Sequence, residues 1–296
     1  MDICSGIGAV PKSSSASGLP PYLERIVVNS LVSIVMPSFN SSRHIRQSIE
    51  SVLAQTFQDF ELLVVDGGSR DQTNRIVHEY SRKDARVRLI ENANDQGPAH
   101  ARSVGIRSAK GRFVAFLDAD DCWLPMKLDA QLSFMRSTGC QFCFTRYRIM
   151  SEDGGKVGCI IPMRPQYDYA TMLGHRGIGT LTVMLDIDLL GNDILNTWLR
   201  AGGEELMWWL MILREGRTAY LLDADLARYR NTGGSLSKNL PYTLKTVWGM
   251  YTKRLSLGVF EASWYFVSYV MDSIVRRMRL KVCAAMSGIL NSRITN

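Results

Sequence analysis

The sequence lacks any apolar run of the roughly 18 residues needed to cross a bilayer. The closest approach, Trp264 to Val275, is interrupted by Ser268 and Asp272. It opens MDICSGIGAV, with neither a basic n-region nor an apolar h-region, so the start does not read as a secretory signal. Cysteine is sparse: Cys4, Cys122, Cys140, Cys143, Cys159 and Cys283 are too few for a disulfide scaffold and read as reduced thiols of a cytoplasmic protein. Cys140 and Cys143 have C-x-x-C spacing, but no second pair lies at zinc-ribbon distance. In the strand-like run GCQFCFTRYRI an offset of three points the two thiols to opposite faces, which makes them structural. None of the four histidines sits at ligand spacing with another. The 9 prolines and 24 glycines follow no period, which excludes a fibre. Neither G-x-G-x-x-G after the first strand nor G-x-x-x-x-G-K-[ST] occurs, so dinucleotide and P-loop readings lack their motif.

What is present is a chain of 296 residues, 46% hydrophobic, long enough to bury a large core without staples. Residues 1–30, with Ser13–Ser15 and Pro20–Pro21, read as a disordered lead-in. From Leu31 short apolar runs alternate with helical periodicity. Strands are expected at Leu31–Met36, Phe60–Val65, Val87–Ile90 and Phe113–Leu117. Between them fall a helix capped by Ser41 or Ser42, a second opened by a capping box at Ser69–Gln72, and a third over Ala99–Ala109. Repeated β-α-β predicts an α/β fold with an open, mostly parallel sheet flanked by helices. Beyond Pro125 the pattern loosens into a helix over Met126–Arg136, strands at Gln141–Met150, Thr180–Leu185 and Ala219–Leu222, and a helix over Glu204–Arg214. The organisation is one domain over 31–240, divided into 31–128 and a mixed half at 129–240, followed by a helical tail at 241–296.

Ligands of such sheets bind beyond the carboxyl ends of the strands. Three strand ends carry suggestive residues: Pro37-Ser38-Phe39-Asn40, Asp66-Gly67-Gly68-Ser69 and Asp118-Ala119-Asp120-Asp121. Three carboxylates within four residues repel one another; at about 6 Å and an effective dielectric near 20, each pair costs roughly 3 kcal/mol. A hard divalent ion such as Mn²⁺ or Mg²⁺ removes that cost and takes phosphate oxygens as its other ligands. The alternative is an exposed acidic turn that caps the helix after Pro125.

These strand ends have a family likeness. VSIVMPSFN (32–40), SIESVLAQTFQDFELLVVDGGSRDQT (48–73), GPAHARSVGI (97–106), GRFVAFLDADD (111–121) and P-x-K-L (125–128) resemble the nucleotide-binding half of family 2 glycosyltransferases. The match covers about a third of the chain. The resemblance implies a GT-A fold and an inverting transfer of sugar from a nucleoside diphosphate, UDP above all, to a hydroxyl of a glycan or lipid-linked acceptor. It implies that Pro37, Phe39 and Asp66 border the base, that Asp118 and Asp120 form a D-x-D, and that Asp120 or Asp121 ligates Mn²⁺ or Mg²⁺. Arg102 falls on the arginine near the donor. Gly67 stands where many members have a second acid. Bacterial teichuronic acid, capsule and exopolysaccharide transferases are the nearest likeness.

In the second half Gly203-Glu204-Glu205 opens a helix, where the macrodipole alone favours acids. The resemblance makes Glu205, with Trp209 four residues on, the match to the catalytic base, and Glu204 its alternative. ARYRNTGGSLS (227–237) resembles the segment that holds the diphosphate, implying contacts from Arg230 and Ser235, with Thr232 in place of the usual histidine. A sugar nucleotidyltransferase would need a basic Gly-rich loop after the first strand, and PSFNSSRH is a poor match. A non-catalytic sugar-nucleotide-binding module is the other competing class.

The net charge of +7 is local. Residues 241–296 carry eight Lys and Arg against Glu261 and Asp272, while the remainder balances at 27 basic to 26 acidic. Nucleic acid is therefore not an expected partner. Phe260, Trp264, Val267, Met271, Ile274 and Met278 recur at helical spacing as one apolar stripe beside Arg276-Arg277-Met278-Arg279-Leu280-Lys281. Such a helix lies in an anionic membrane interface, at the inner face of the plasma membrane, or packs on the catalytic domain.

Overall fold

Runs of apolar residues buried on both sides organise the first half of the chain. The computed structural model describes residues 31–92, 97–175, 177–191, 205–232 and 240–286. The lead-in, Glu204 and Ser235 lie outside the described residues. β1 (Val32–Ser38) is followed by α1 (Ile45–Leu53), β2 (Phe60–Asp66), α2 (Thr73–Ser81), β3 (Val87–Glu91), α3 (Pro98–Ser108) and β4 (Phe113–Phe116). Every residue of β1, β2 and β4 is buried, as parallel strands covered on both faces require. β1 pairs in parallel with β2 and with β4, and β2 with β3. The spatial order 3-2-1-4 reverses between β1 and β4, so the ligand crevice belongs at their carboxyl ends.

The sheet then becomes mixed. After β5 (Cys122–Trp123) come α4 (Lys127–Thr138), β6 (Phe142–Met150), β7 (Val157–Ile160), β8 (Gln166–Tyr167), α5 (Tyr169–Gly174), β9 (Met184–Asp186), a four-residue helix α6 (Ile187–Leu190), α7 (Glu205–Leu213) and β10 (Ala219–Arg230). β9 runs antiparallel between β4 and β6, and β10 lies parallel to β6. One face of the sheet is covered by α1, α2 and α4 through Ile49, Val77 and Leu132, the other by α3 and α7 through Ile106 and Trp208. This is the α/β arrangement expected from the sequence.

Four local expectations differ. Neither Ser41 nor Ser42 caps α1 with its side chain; their backbone N–H groups instead donate across the loop, Ser41 N to Thr73 Oγ1 and Ser42 N to Asp71 Oδ2. The Ser69–Gln72 box does not cap α2 either, because Ser69 Oγ donates to Asp66 Oδ1. The strand expected over Thr180–Leu185 opens as a 3₁₀ turn at Thr180–Thr182. β10 runs past Leu222 to Arg230, so the segment compared with a diphosphate loop begins as a strand.

The cysteines also depart from expectation. Cys140 lies in the turn before β6, and its thiol hydrogen-bonds with Cys143 rather than facing away from it. Cys122, Cys140 and Cys143 are free and buried, whereas Cys159 is disulfide-bonded.

Two further helices, α8 (Leu240–Gly249) and α9 (Val259–Met286), are joined by a π-turn at Met250–Arg254. Tyr251 is buried and donates its hydroxyl to Leu173 O. α9 docks through Ala262 and Tyr269 on the core cluster that contains α7. No described helix is long and apolar enough to cross a membrane.

Candidate active site

At the end of β2, the Asp66 carboxylate organises its own loop. Oδ2 accepts from Gly68 N at 3.0 Å and Ser69 N at 2.8 Å, while Oδ1 accepts from Ser69 Oγ and from Ser38 Oγ of β1. Gly68 takes φ +87°, which L side chains rarely adopt, and so lets the chain turn back over the carboxylate. Asn40, at φ 47°, extends the lacing: its N–H donates to Ser69 Oγ and its Oδ1 accepts from Arg70 N. Asp66 is buried by these contacts, as is Pro37, while Phe39 stands 54% exposed at the crevice rim.

The acidic turn follows β4. Asp120 and Asp121 stand above the usual carboxylate range: burial and the Asp118 charge push Asp120 up to about 6, and burial, with Asp120 and Asp118, raises Asp121 as well. Asp121 is 1% exposed; its Oδ1 accepts from Arg230 N at 2.8 Å, and its buried Oδ2 has no hydrogen-bond partner. Neighbouring carboxylates raised above their usual range and an orphaned oxygen fit a hard divalent ion. Among the described residues, no three His, Cys, Asp or Glu side chains converge as a metal cage. Such an ion would therefore draw several of its ligands from a bound phosphate or from water, the usual habit of Mg²⁺.

Arg230 reaches this turn from β10 and is 1% exposed. Its Nε donates to Asp120 O at 2.6 Å, Nη1 to Glu152 O at 2.8 Å, and Nη2 to Gln47 Oε1 at 2.5 Å and Cys122 Sγ at 3.8 Å. The guanidinium lies against the protein beneath the acidic turn; the diphosphate contact is what the resemblance implies for it. Gln47 and Glu152 were not singled out from the sequence, since nothing local marks a residue whose carbonyl meets an arginine from β10.

Arg102, on α3, reaches the crevice from the opposite sheet face and is 2% exposed. Nη2 donates to Asp118 Oδ1, and Nη1 donates to Glu205 Oε1 at 2.7 Å. Burial works against the Arg102 charge, but the two carboxylates outweigh it and raise its pKa. Glu205 is the first residue of α7, and three residues later Trp208 meets Phe116 edge-on at 5.4 Å, just before Asp118. The structure thus brings together Asp118, Asp120, Asp121, Arg102 and Glu205. Trp123, beside the turn, is buried and donates Nε1 to Leu181 O at 2.8 Å, so it packs rather than facing the crevice.

Known proteins resemble this chain in sequence and in fold. The family model for "Glycosyl transferase family 2" matches residues 33–182. A Bacillus subtilis (strain 168) protein named as teichuronic acid biosynthesis glycosyltransferase TuaG is 35% identical over 249 residues, covering 84% of this chain and 98% of the relative. The Escherichia coli UDP-Glc:alpha-D-GlcNAc-diphosphoundecaprenol beta-1,3-glucosyltransferase WfgD is 35% identical over 250 residues, covering 82% and 94%. Among solved structures, S. aureus TarS 1-349 in complex with UDP-GlcNAc superposes with a TM-score of 0.58 at 20% identity, over 75% of this chain and 66% of that one. The mannosyltransferase PcManGT from Pyrobaculum calidifontis, in complex with GDP-Man and Mn²⁺, gives 0.55 at 14% identity over 90% and 86%. These two share the GT-A fold seen here. The chain belongs to glycosyl transferase family 2, and is a glycosyltransferase.

Proposed function

We propose that this glycosyltransferase moves a sugar from a nucleoside diphosphate donor, UDP-linked, to a hydroxyl of a lipid-linked or glycan acceptor in bacterial surface polysaccharide synthesis, with inversion at C1. The observation that carries the reading is the meeting of Asp118 and Glu205, from two separate parts of the fold, on the single guanidinium of Arg102. The relatives named for teichuronic acid and diphosphoundecaprenol chemistry support the acceptor class.

The exposed face of Phe39 and the Asp66 loop supply a flat wall and a rigid rim for the base. Asp118 and Asp120 would hold Mn²⁺ or Mg²⁺ with Asp121 beneath them, and the ion would supply Lewis-acid neutralisation of the departing diphosphate. Arg230 supports the reaction by donating Nε to the Asp120 carbonyl and its backbone N–H to the Asp121 carboxylate. Ser235 and Glu204 remain donor and base candidates by likeness alone. Glu205 takes the proton from the acceptor hydroxyl as its oxygen attacks C1 from the face opposite the leaving group, which inverts the centre. Holding both reactants at the crevice supplies much of the acceleration. The tail at 241–296 places the enzyme on an anionic membrane surface, where a lipid-linked acceptor resides.

The test is a panel of UDP-, GDP- and dTDP-sugars, each scored for protection against thermal unfolding with and without Mn²⁺. UDP-sugars with Mn²⁺ are expected to raise Tm, and a flat panel would overturn the reading. Glu205→Gln is expected to keep the donor-induced shift and lose transfer by about a hundredfold or more, the scale of a removed general base. Undiminished transfer moves the base elsewhere.

A further inference from the structure

Family likeness places Arg102 near the donor, yet its visible partners are carboxylates and its reach spans the crevice. Its side chain is 3% exposed, whereas those of Asp118 and Glu205 are 34% and 41% exposed. The arginine is therefore a fixed post and the two acids lean on it from the solvent side. Both terminal nitrogens are engaged, and Nε is buried with no hydrogen-bond partner. α3 holds the post rigid: Ala101, Ser103 and Ile106 are buried around it, and Gly105 lies so close to Val35 of β1 that an added Cβ would fall 2.3 Å from Val35 Cγ1.

We infer that Arg102 is a positioning residue for the transfer step, which registers the Glu205 carboxylate against the donor edge of the acidic turn; this rests on the reading of Glu205 as base. One oxygen of Glu205, Oε1, accepts from Arg102. That bond fixes the carboxylate plane, and with it the direction in which Oε2 is presented. The same guanidinium holds the Asp118 carboxylate through Nη2. A planar fork performs both tasks at once; an ammonium is a point charge that cannot hold two acids in a set plane. Displacement of about 1 Å at a reacting group is enough to cost about a hundredfold in rate.

The experiment compares the full-length chain with Arg102→Lys, Glu205→Gln and the double variant, using UDP-glucose and Mn²⁺ as the probe and reading Kd, donor KM and kcat separately. Arg102→Lys is expected to leave Kd and KM within about threefold and to lower kcat by about a hundredfold. The double variant is expected to be no slower than Glu205→Gln alone, because two residues acting as one unit are not additive. A rise in Kd or KM with kcat retained would make Arg102 a donor ligand and overturn the inference. Additive losses in the double variant would also overturn it. Arg102→Gln, with Tm and near-UV circular dichroism measured beside it, covers the case in which the lysine variant does not fold; failure of both to fold assigns Arg102 to stability and refutes the positioning role. A wild-type chain that binds no nucleotide sugar fails the proposed function instead, so the two failures are distinguishable.

Discussion

Lys127 of the P-x-K-L motif is fully buried, with Nζ 3.9 Å from the Trp123 ring centroid and donating to Gln131 Oε1 at 2.5 Å. Burial pushes its ammonium down to about 7 from the ordinary 10.5. Between those values the unfolded chain holds a proton that the folded chain releases, so stability rises with pH across the window by at most about 1.4 kcal/mol per pH unit. Lys127→Met is expected to flatten that slope between pH 7.5 and 9.5, read as Tm against pH. Its Tm at pH 7.5 should move little, because the orphaned Gln131 Oε1 offsets removal of the buried amine. A slope equal to that of the unmodified chain would show that Lys127 stays charged, held by the ring and the amide. The same scale shows what was readable without a structure. Asp118, Asp120 and Asp121 announce themselves because their repulsion is local to four residues, and after folding burial and that repulsion together raise Asp120 and Asp121. Arg230 does not, since its bond to Asp120 O spans 110 residues and depends on β10 passing under the turn.

At the scale of elements, the parallel half follows from hydrophobic runs and the mixed half does not. Val32–Met36 and Phe60–Val65 are apolar enough to be strands in any context, and they are buried throughout. β10 is harder: Asp223, Asp225, Arg228 and Arg230 interrupt its pattern, and it stays extended because Arg146 and Arg148 of β6 pair with Asp223 and Asp225 beside it. Cap signals misled for a related reason, as the serines and aspartates before α1 and α2 bond to each other across the crevice loops. The contact of α3 with β1 is the most demanding packing near the site. Gly105→Ala would gain about 1 kcal/mol of helix propensity. It would also press a Cβ onto the stiff, buried Val35, where overpacking costs about 1–3 kcal/mol. The expected balance is a lower midpoint in urea, together with a fall in kcat, since Arg102 sits one turn earlier on the same helix. A stabilised variant with unchanged kcat would mean that β1 yields without moving the post.

For the whole molecule, the decisive feature is that α9 carries two apolar faces. One docks: Ala262 and Tyr269 are buried, and Arg276 donates to Tyr147 OH of β6. The other is the stripe read from the sequence, and among the described residues nothing buries it. Phe260 is 93% exposed and Trp264 73%, and Val267, Met271, Ile274 and Met278 are also exposed. Of the two placements open to that stripe, packing on the domain does not occur among the described residues. Lys253, Arg254, Arg279 and Lys281 are exposed around it. Apolar side chains beside clustered cations fit a surface that is both oily and anionic, where each cation near the headgroups adds about 1 kcal/mol. The chain is expected to sediment with vesicles containing phosphatidylglycerol, less with pure phosphatidylcholine, and less again at high salt. Replacing Phe260, Trp264 and Val267 together with serine is expected to abolish sedimentation while leaving Tm within about 2 °C, because residues so exposed contribute little to the fold. If the unmodified chain ignores anionic vesicles and runs as a dimer that the triple variant dissolves, the stripe joins two copies, and membrane placement of the active site falls.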